Sequence, residues 1–355
     1  MTTGDASAAP DAALRDDLQK TVDRVFDAHC AKAVRESAEA GEWPAGLWGA
    51  LEEVGLPRAA LPEAAGGAGF SFGDAMFALR RSAYLAAPVP LAETMLAGRL
   101  LSAAGLEVPD GPITVAPVGA EGFTLSAGKL SGDAPRVPWG NQCPHVVLVA
   151  RAEGGEVLAL ARTEGAATSV DKNLAGEPRA NLHFERAAVV ASAPLADAAQ
   201  RLTRDGALHR CVQMAGALER TLEYSLAYAN ERVQFGRPIG KFQAIQHLLA
   251  VLAGQVAAAS AAADAAVEAS AGAPDEFMVA VAKARIGEAA GKVAEIAHQV
   301  HGAMGYTREH NLHYVTRRLW SWRDEFGNEA FWQGRIGRSV AANGGSALWP
   351  MLTGT

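Results

Sequence analysis

Two long helical patterns that meet at a short break constrain the fold of this chain more than any other feature of its sequence. Apolar residues recur at three- and four-residue intervals from Leu218 to Ala229, which places them on one face of a helix. Gly236 and Pro238 break this helix, because Gly relaxes the backbone and Pro cannot donate a hydrogen bond within a turn. A second, Ala-rich helical pattern follows at residues 242–269. Long helices joined by short turns predict an antiparallel bundle.

The C-terminal part of the chain, residues 194–355, is predicted to form this bundle as a long four-helix structure. Ala is abundant there, and it combines the highest helix propensity with a small side chain that lets helices pack closely. An extended apolar face on such a bundle invites contact with another chain. We therefore expect an oligomer.

The remaining sequence predicts a disordered tail at residues 1–13, a helical domain at 14–108 and a β-domain at 109–193. Helical patterns lie at residues 14–37, 43–55, 72–86 and 91–104. Short β-branched or alternating runs, separated by Gly, Pro, Asp and Asn, predict a small antiparallel sheet. These runs are residues 112–116, 122–125, 146–150, 157–161 and 181–184. The predicted fold class is α+β, mostly α, in the order helical, β, helical.

Composition and charge exclude several classes of function. The 355 residues are 49% apolar and 20% charged, the balance of a folded soluble protein. A formal net charge of -7 provides no basic surface for nucleic acid. Cys30, Cys143 and Cys211 are widely spaced, which fits neither a zinc site nor a disulfide framework, so no metal is expected. Without a signal peptide pattern or a bulky apolar span, we expect a cytoplasmic protein that contacts no membrane.

Glu231 and Arg232 lie at the end of the first long helix, beside the tight turn. A guanidinium there has the geometry to bind a phosphate, and it keeps its charge at any working pH. The simpler interpretation is a solvent-exposed helix end, where Arg interacts favourably with the helix dipole. Taken alone, Arg232 favours the simpler interpretation.

A later helical run ends in a glycine-containing turn at residues 299–307. Gly302 and Gly305 form a turn in which side chains do not block an approaching ligand, although a plain glycine cap of a helix is the alternative. The N-terminal loop at residues 61–69 likewise permits close backbone approach, either to a ligand or to another helix. No strand precedes that loop, so a dinucleotide or P-loop phosphate site is not supported.

Glu325 lies within a segment rich in aromatic residues, which are Trp320, Trp322, Phe326 and Phe331. A carboxylate among aromatic rings is partly desolvated, which tends to raise its pKa toward the range useful for abstracting a proton. The alternative is a capping Glu or a salt bridge with the nearby Arg323. Asp324 and Glu329 are competing carboxylates.

Three segments, in register, resemble motifs of the acyl-CoA dehydrogenase family. Residues 228–243 are similar to its long-helix signature, Tyr-x-x-x-Arg-x-x-Phe-Gly-x-x-Ile followed by Phe/His-Gln. Residues 299–306 resemble its Gln-x-x-Gly-Gly-x-Gly-Tyr/Phe turn, with Ala303 at the second glycine. Residues 61–69 resemble its Leu-Pro-Glu-x-x-Gly-Gly-x-Gly loop. The resemblance covers residues 14–345, and the order of the domains agrees with it.

The resemblance implies a flavoenzyme that removes two hydrogens from the α and β carbons of an acyl-CoA thioester. In the family a carboxylate takes the α-proton, N5 of FAD accepts the β-hydride, and an electron-transferring flavoprotein receives the electrons. Spacing from the glycine turn aligns Glu325 with this base. The implied FAD-binding residues, on a site shared with a neighbouring subunit, are Arg232, Gln234, Phe235, Gln299, Gly302, Ala303 and Gly327.

The sequence departs from the family pattern at several places. Phe326 replaces the usual Gly after the base, and Gly327 replaces the usual Thr. The Gly-Ser-Asp loop of the β-domain is missing, with residues 115–118 in its place. A base on the preceding helix, as in some members, would fall near Gly206, which has no side chain, or on Asp205.

These features leave three hypotheses. The leading one is a catalytic homodimer or homotetramer in which Glu325 is the base. The second is a non-catalytic or half-site subunit of a heteromer with a longer sister dehydrogenase chain, because short members of the family sometimes pair in this way. The third is a related flavin oxidase or monooxygenase on the same fold.

Overall fold

The computed structural model describes residues 12–67, 69–119, 122–272 and 275–353, which form helices, a sheet and helices in chain order. The first five helices are α1 (Ala12–His29), α2 (Lys32–Ala40), α3 (Ala45–Glu53), α4 (Phe72–Tyr84) and α5 (Leu91–Ala103). Leu51, Leu79 and Leu91 are fully buried in the core that these helices share. Of the tail predicted to be disordered, residues 1–11 lie outside the described residues, and residues 12 and 13 belong to α1.

The helical pattern predicted for residues 14–37 is interrupted between α1 and α2. Ala31 is extended (φ -65°, ψ 164°), and the Cys30 carbonyl accepts a hydrogen bond from Nη1 of Arg35 at 2.7 Å. Phe26, Cys30 and Ala38 are buried at helical spacing on both sides of the break. The apolar pattern therefore continues across it, and periodicity alone predicts one helix where the structure has two.

The middle of the chain forms one eight-stranded sheet. Its strands are β1 (Ile113–Val115), β2 (Phe123–Ser126), β3 (Lys129–Pro138), β4 (His145–Ala152), β5 (Gly155–Arg162), β6 (Ala167–Lys172), β7 (Pro178–Ala188) and β8 (Ala191–Pro194). The strand order is β6-β7-β3-β2-β4-β5-β8, and β1 pairs with β4. Pairing is antiparallel, as predicted, except that β1 and β2 each run parallel to β4.

Three of these strands have no clear signal in the sequence. β3 contains Gly132, Pro135 and Pro138, residues that are rare inside strands, and its register with β7 shifts at two places. Every residue of β6 is exposed, and its sequence does not alternate between apolar and polar residues. β8 is only four residues long.

The C-terminal bundle contains α6 (Ala198–Glu231), α7 (Gln243–Ala269), α8 (Glu276–His301), α9 (Leu312–Asp324) and α10 (Glu329–Asn343), and α11 (Leu348–Thr353) follows it. The first three are long helices that pack on one another, while α9 packs on α6 and α8, and α10 packs on α8. A hairpin of β9 (Val233–Gln234) and β10 (Arg237–Pro238) joins α6 to α7. The predicted break between two long helices is confirmed.

α6 joins the bundle to the N-terminal helices through a close crossing with α4. Gly216 lies at this crossing, and a Cβ atom there would be 2.1 Å from the carbonyl oxygen of Arg80. Nη1 of Arg80 also lies 2.6 Å from Oδ1 of Asp264 on α7. The crossing thus holds α6 between the two helical regions.

The glycine loop at residues 61–69, of which residue 68 lies outside the described residues, forms hydrogen bonds between its own backbone groups. The amides of Ala65 and Gly67 both donate to the carbonyl of Pro62, at 2.9 and 3.0 Å. The close backbone approach that glycine permits in this loop is therefore used between residues of the loop itself.

α7 is the one described helix that is long and apolar enough to cross a membrane by length and composition, which is a weak indication on its own. Its most apolar 18-residue window has a mean hydropathy of 1.5, and 22% of that window is buried. A helix that another protein chain covers has the same properties. α7 therefore presents a largely uncovered face of small apolar residues.

Candidate active site

The loop between α9 and α10 carries Glu325, and a buried lysine fixes it. Lys283 of α8 is fully buried and donates from Nζ to the carbonyl oxygens of Arg323 (2.6 Å) and Gly327 (2.7 Å). These carbonyls lie on either side of Glu325. Its backbone is therefore tied to the core of the bundle.

Phe326, at the position where the family pattern has glycine, adopts a backbone conformation that favours glycine. Its φ of +55° lies in the left-handed region, which disfavours side chains. Its ring packs against Gly206 of α6, where a Cβ atom would be 2.4 Å from Cδ1 of Phe326. The ring thus occupies the space that a side chain at position 206 would need. The neighbouring Asp205 pairs with Nε of Arg204 at 2.8 Å.

Two arginines hold the carboxylate of Glu325. Oε1 accepts from Nη2 of Arg179 on β7 at 2.5 Å, and Oε2 accepts from Nε of Arg210 on α6 at 2.7 Å. Nη2 of Arg210 also lies 2.6 Å from Oε2. The alternative prediction of a salt bridge at Glu325 is thus confirmed, but its partner is wrong: Arg323 pairs with Glu329 instead.

Further charged residues extend this arrangement into a buried cluster. Glu93 of α5 accepts from Nη2 of Arg210 at 2.6 Å. Oxygens of Glu177 lie 3.3 Å from Nη2 of Arg179 and 3.3 Å from Nε of Arg318 on α9. We call this set the charge cluster: Glu93, Glu177, Arg179, Arg210, Arg318 and Glu325. Its three carboxylates and three guanidiniums balance, and they connect the N-terminal helices, the sheet and the bundle.

Burial and the two arginines act on Glu325 in opposite directions. Burial alone would raise the pKa of its carboxyl, but the charges and hydrogen bonds of Arg179 and Arg210 outweigh burial and lower that pKa to about 2. The predicted raised pKa is therefore wrong for this conformation. Glu325 is ionised at neutral pH, and it is a weaker base than an unpaired carboxylate.

A cavity of about 450 Å³ opens on Glu325 between the sheet and α9. Of the charge cluster, only Glu325 and Arg179 line this cavity. Its other walls combine aromatic, proline and polar side chains, among them Phe326, Trp320, Pro117, Pro135, Pro138 and Arg136. Flat walls with a few polar groups are typical of small-molecule sites.

Three of the other predicted site residues lie at the far end of α6. Arg232 caps the helix in an extended conformation (φ -73°, ψ 114°), and Gln234 and Phe235 follow in the hairpin. All three side chains are exposed, that of Phe235 by 93%. Among the residues that the structure describes, no hydrogen bond or ion pair involves the Arg232 guanidinium.

The glycine turn after α8 adjoins this end of α6. Its exposed predicted residues are Gln299, Gly302 and Ala303. The ring of His301, at the end of α8, stacks on Tyr228 in the last turn of α6, with 4.6 Å between ring centroids. The structure therefore brings the Arg232 turn and the glycine turn together on one surface.

This surface is distant from Glu325 of the same chain. Arg210, which binds Glu325, and Arg232 lie 22 positions apart along α6. At 1.5 Å per residue this separation is roughly 33 Å. Arg232 and Glu325 of one chain therefore cannot contact the same small group, and a site that uses both needs two chains.

Arg179 and Arg210 are site residues that the sequence patterns did not predict. For Arg210 a signal exists, because it is the only Asp, Glu, Lys or Arg between Gly206 and Leu218 on an otherwise apolar stretch of helix. A lone charge on a buried helix face indicates a buried partner. Arg179 has no comparable signal, since the residues around it on β7 alternate between polar and apolar.

Solved structures with the same architecture define the class of protein. The chain superposes on the Tcur3481-Tcur3483 steroid ACAD with a TM-score of 0.85 and 26% identity, covering 93% of this chain and 98% of that chain. For the ChsE4-ChsE5 complex from Mycobacterium tuberculosis the TM-score is 0.85 and the identity 26%, over 94% and 98% of the two chains. The fold is thus that of oxidoreductases acting on acyl-CoA.

Sequence comparisons give the family. Residues 14–108 match the model for "Acyl-CoA dehydrogenase, N-terminal domain" and residues 196–340 that for "Acyl-CoA dehydrogenase, C-terminal domain". The acyl-CoA dehydrogenase IpdE2 of Mycolicibacterium smegmatis is 30% identical over 86% of this chain and 91% of that relative. The chain belongs to the acyl-CoA dehydrogenase family and is an acyl-CoA dehydrogenase, as the resemblance predicted.

Proposed function

We propose that this chain is a FAD-dependent enzyme that introduces a double bond between the α and β carbons of an acyl-CoA thioester. The observation that carries the proposal is the place of Glu325. Its carboxylate lines the cavity between the sheet and α9, at the sequence position that the resemblance assigns to the base. A carboxylate that is ionised and fixed in a cavity is suited to take a proton from a substrate carbon.

The two oxygens of Glu325 have different roles in this proposal. Arg210 holds Oε2 from α6, and Arg210 does not line the cavity. Oε1, which Arg179 binds from the cavity side, is therefore the oxygen that takes the α-proton, once Arg179 has moved away and the substrate lies within about 2.6–3.2 Å of it. Lys283 keeps the loop in place while the proton moves, and Phe326 and Trp320 exclude water from that wall of the cavity.

FAD would supply the hydride acceptor, its flavin N5, for the β-carbon. The residues present fit the two ends of this cofactor. Aromatic and proline walls with the hydroxyl of Ser321, a buried group without a hydrogen-bond partner among the described residues, suit a flat ring that has a polar edge. Arg232, exposed and without a partner among the described residues, suits a pyrophosphate that a neighbouring chain carries.

We propose that two chains share each FAD site, in a homodimer or homotetramer. The roughly 33 Å along α6 between the Arg210 and Arg232 positions supports this arrangement, and so does the largely uncovered face of α7. The resemblance to the family supports an electron-transferring flavoprotein as the acceptor of the electrons.

Anaerobic reduction of the bound flavin tests the proposal. Purified protein should be yellow, and at least one member of a panel of straight-chain, branched, aromatic and steroid-derived acyl-CoA thioesters should bleach it. Glu325→Gln should lower the bleaching rate by about 100- to 10,000-fold, the range for losing a general base. Asp324→Asn, at the exposed neighbouring carboxylate, is the matched control and should bleach normally. Full bleaching by Glu325→Gln would show that Glu325 is not the base.

A specific observation favours a second function, that of a subunit which completes the FAD site of a longer sister chain. Both oxygens of Glu325 are occupied by buried arginines, and Phe326 fills the space beside Gly206. The carboxylate is therefore not free in this conformation. The similar ChsE4-ChsE5 and Tcur3481-Tcur3483 structures are named as pairs of chains.

Co-expression separates the two functions. A half-site subunit should purify colourless alone and acquire FAD when it is expressed with a longer acyl-CoA dehydrogenase from the same organism. In that complex Arg232→Gln should remove the FAD, while Glu325→Gln should leave turnover unchanged. Yellow, active protein from the single chain would exclude the half-site function.

A further inference from the structure

We propose that Arg179 is a positioning residue for the base: it covers Oε1 of Glu325 in the free enzyme and moves onto Glu177 when an acyl group occupies the cavity. The proposal rests on the proposed function, in which Glu325 takes the α-proton. It concerns a residue of the sheet that lies outside the three motifs of the resemblance.

The two arginines bound to Glu325 differ in how firmly they are anchored. Arg210 binds Oε2 through Nε and binds Glu93 through Nη2, and its Nη1 donates to Gln213. All of these partners except Glu325 come from helices of the core. Arg210 does not line the cavity, and each of its three guanidinium nitrogens already donates to one of these partners, so it has neither space nor an alternative partner.

Arg179 has both. Its Nη2 is shared between Oε1 of Glu325 at 2.5 Å and Oε2 of Glu177 at 3.3 Å. It lines the cavity together with Glu325. A small rotation of the guanidinium toward Glu177 would therefore release Oε1 on the side that faces the cavity.

This exchange keeps the charge cluster neutral. The guanidinium passes from one carboxylate to another within the same buried group, so no charge is left without a partner, and an uncompensated buried charge would be costly. Glu177 can take the extra interaction because Asn173 and Trp322 already position it, donating to Oε2 at 2.8 and 3.2 Å.

Release of Arg179 also changes the strength of the base. Its charge and hydrogen bond are among the effects that hold the pKa of Glu325 at about 2. When one arginine leaves, the carboxylate becomes more basic at the moment the substrate arrives. Arg179 thus keeps Oε1 paired in the free enzyme, and Arg210 keeps the carboxylate in place in both states.

Arg179→Gln in the full-length holoenzyme tests the proposal, and Arg186→Gln is the matched control. Arg186 lies on the same strand, is exposed and does not line the cavity. The first measurement is the pH dependence of the second-order rate constant for anaerobic flavin reduction by a reactive acyl-CoA, which reports groups of the free enzyme. Wild type and Arg186→Gln should show no acid limb above about pH 3, since Glu325 stays ionised in the free enzyme.

In Arg179→Gln the acid limb should appear nearer the ordinary Glu pKa of about 4.3. The second-order rate constant at neutral pH should rise about threefold to tenfold, and KM should fall, because no arginine has to be displaced when the acyl group binds. An Arg179→Gln profile identical to that of Arg186→Gln overturns the proposal. So does loss of reduction in Arg179→Gln, which would make Arg179 necessary for the chemistry itself.

The second measurement needs no turnover. The free energy of unfolding, followed from pH 7 to pH 3, should fall less steeply in Arg179→Gln than in wild type, because less of the stability depends on an abnormally acidic Glu325. Equal slopes overturn the proposal. If Arg179→Gln does not fold, Arg179→Lys keeps the charge and should shift both measurements in the same direction by a smaller amount; no shift overturns it.

The two proposals fail in distinguishable ways. If Glu325→Gln bleaches at the wild-type rate, the base of the proposed function is wrong, whatever Arg179→Gln does. If Glu325→Gln is inactive while Arg179→Gln and Arg186→Gln behave alike, the function stands and the role of Arg179 is wrong.

Discussion

Arg210 lies within α6 and Arg232 caps the same helix, and both are positively charged, but one is buried and the other is exposed. Arg210 is 2% exposed and binds Glu93 and Glu325 inside the chain. Arg232 is exposed, and no described residue forms an ion pair with it. The N-terminal half of α6, which we call its buried end, is therefore satisfied within the chain, while the C-terminal end presents an unpaired charge beside a glycine turn.

This difference indicates that Arg210 stabilises the fold, whereas Arg232 is available to bind another molecule. A buried guanidinium must be paired because an isolated buried charge costs several kcal/mol. The ion pairs of Arg210 are therefore required for the stability of the fold. An exposed guanidinium has no such need. Its place next to the exposed Gln299 turn is consistent with a ligand or chain that comes from outside. The same substitution at the two ends should therefore have unrelated effects.

The largest expected effect is on stability at the buried end. Arg210→Gln removes the shared partner of Glu93 and Glu325, and Glu93 has no other ion pair among the described residues. We expect a loss of about 3–5 kcal/mol in the free energy of unfolding, measured by urea denaturation. Arg232→Gln is the control on the same helix and should change stability by less than about 0.5 kcal/mol. Equal losses would contradict the contrast between the two ends.

A smaller effect should depend on pH. The folded pKa of Glu325 is lowered to about 2, so its pairing stabilises the fold above the unfolded pKa, and that contribution is lost as the pH falls toward 2. Between pH 7 and pH 3 wild type should therefore lose more stability than Glu325→Gln, by at most about 3 kcal/mol. Denaturant titrations at several pH values measure this difference. Parallel curves would show that the arginines do not hold the carboxylate in solution.

The contact between Gly206 and Phe326 offers a test of packing at the buried end. Gly206→Ala places a Cβ atom where the ring lies, so we expect destabilisation by about 1–3 kcal/mol. Phe326→Ala removes the ring, and in that background Gly206→Ala should cost much less. A thermodynamic cycle of the two variants measures the coupling. Additive effects would mean that the two residues do not touch.

The exposed end should affect cofactor affinity rather than stability. Arg232→Gln should weaken FAD binding by roughly tenfold to a hundredfold, the range for one charge-assisted hydrogen bond. The FAD content after gel filtration and a fluorescence titration would measure it. Lys241→Gln removes an exposed charge from the same connection between α6 and α7 and should retain FAD. If both variants lose FAD equally, the general positive charge of the turn is responsible.

Local signals were enough to predict most of the helical architecture. Residue spacing, together with Gly236 and Pro238, predicted where α6 ends and α7 begins, because both depend on the chain's immediate neighbours. The break at Ala31 was not predicted, because the apolar pattern continues across it. Strand β3 was not predicted, because prolines interrupt its pattern. The three motifs likewise predicted the family.

What the sequence by itself determined is the order of the elements, the family and the placement of Glu325 on a loop near aromatic residues. Only the tertiary structure decided what Glu325 meets. Arg179 and Arg210 are 146 and 115 positions away in the chain, so no local pattern connects them to it. The aromatic neighbours predicted a raised pKa, whereas two distant charges lower it, because the folded chain brings buried guanidiniums into direct contact with the carboxylate.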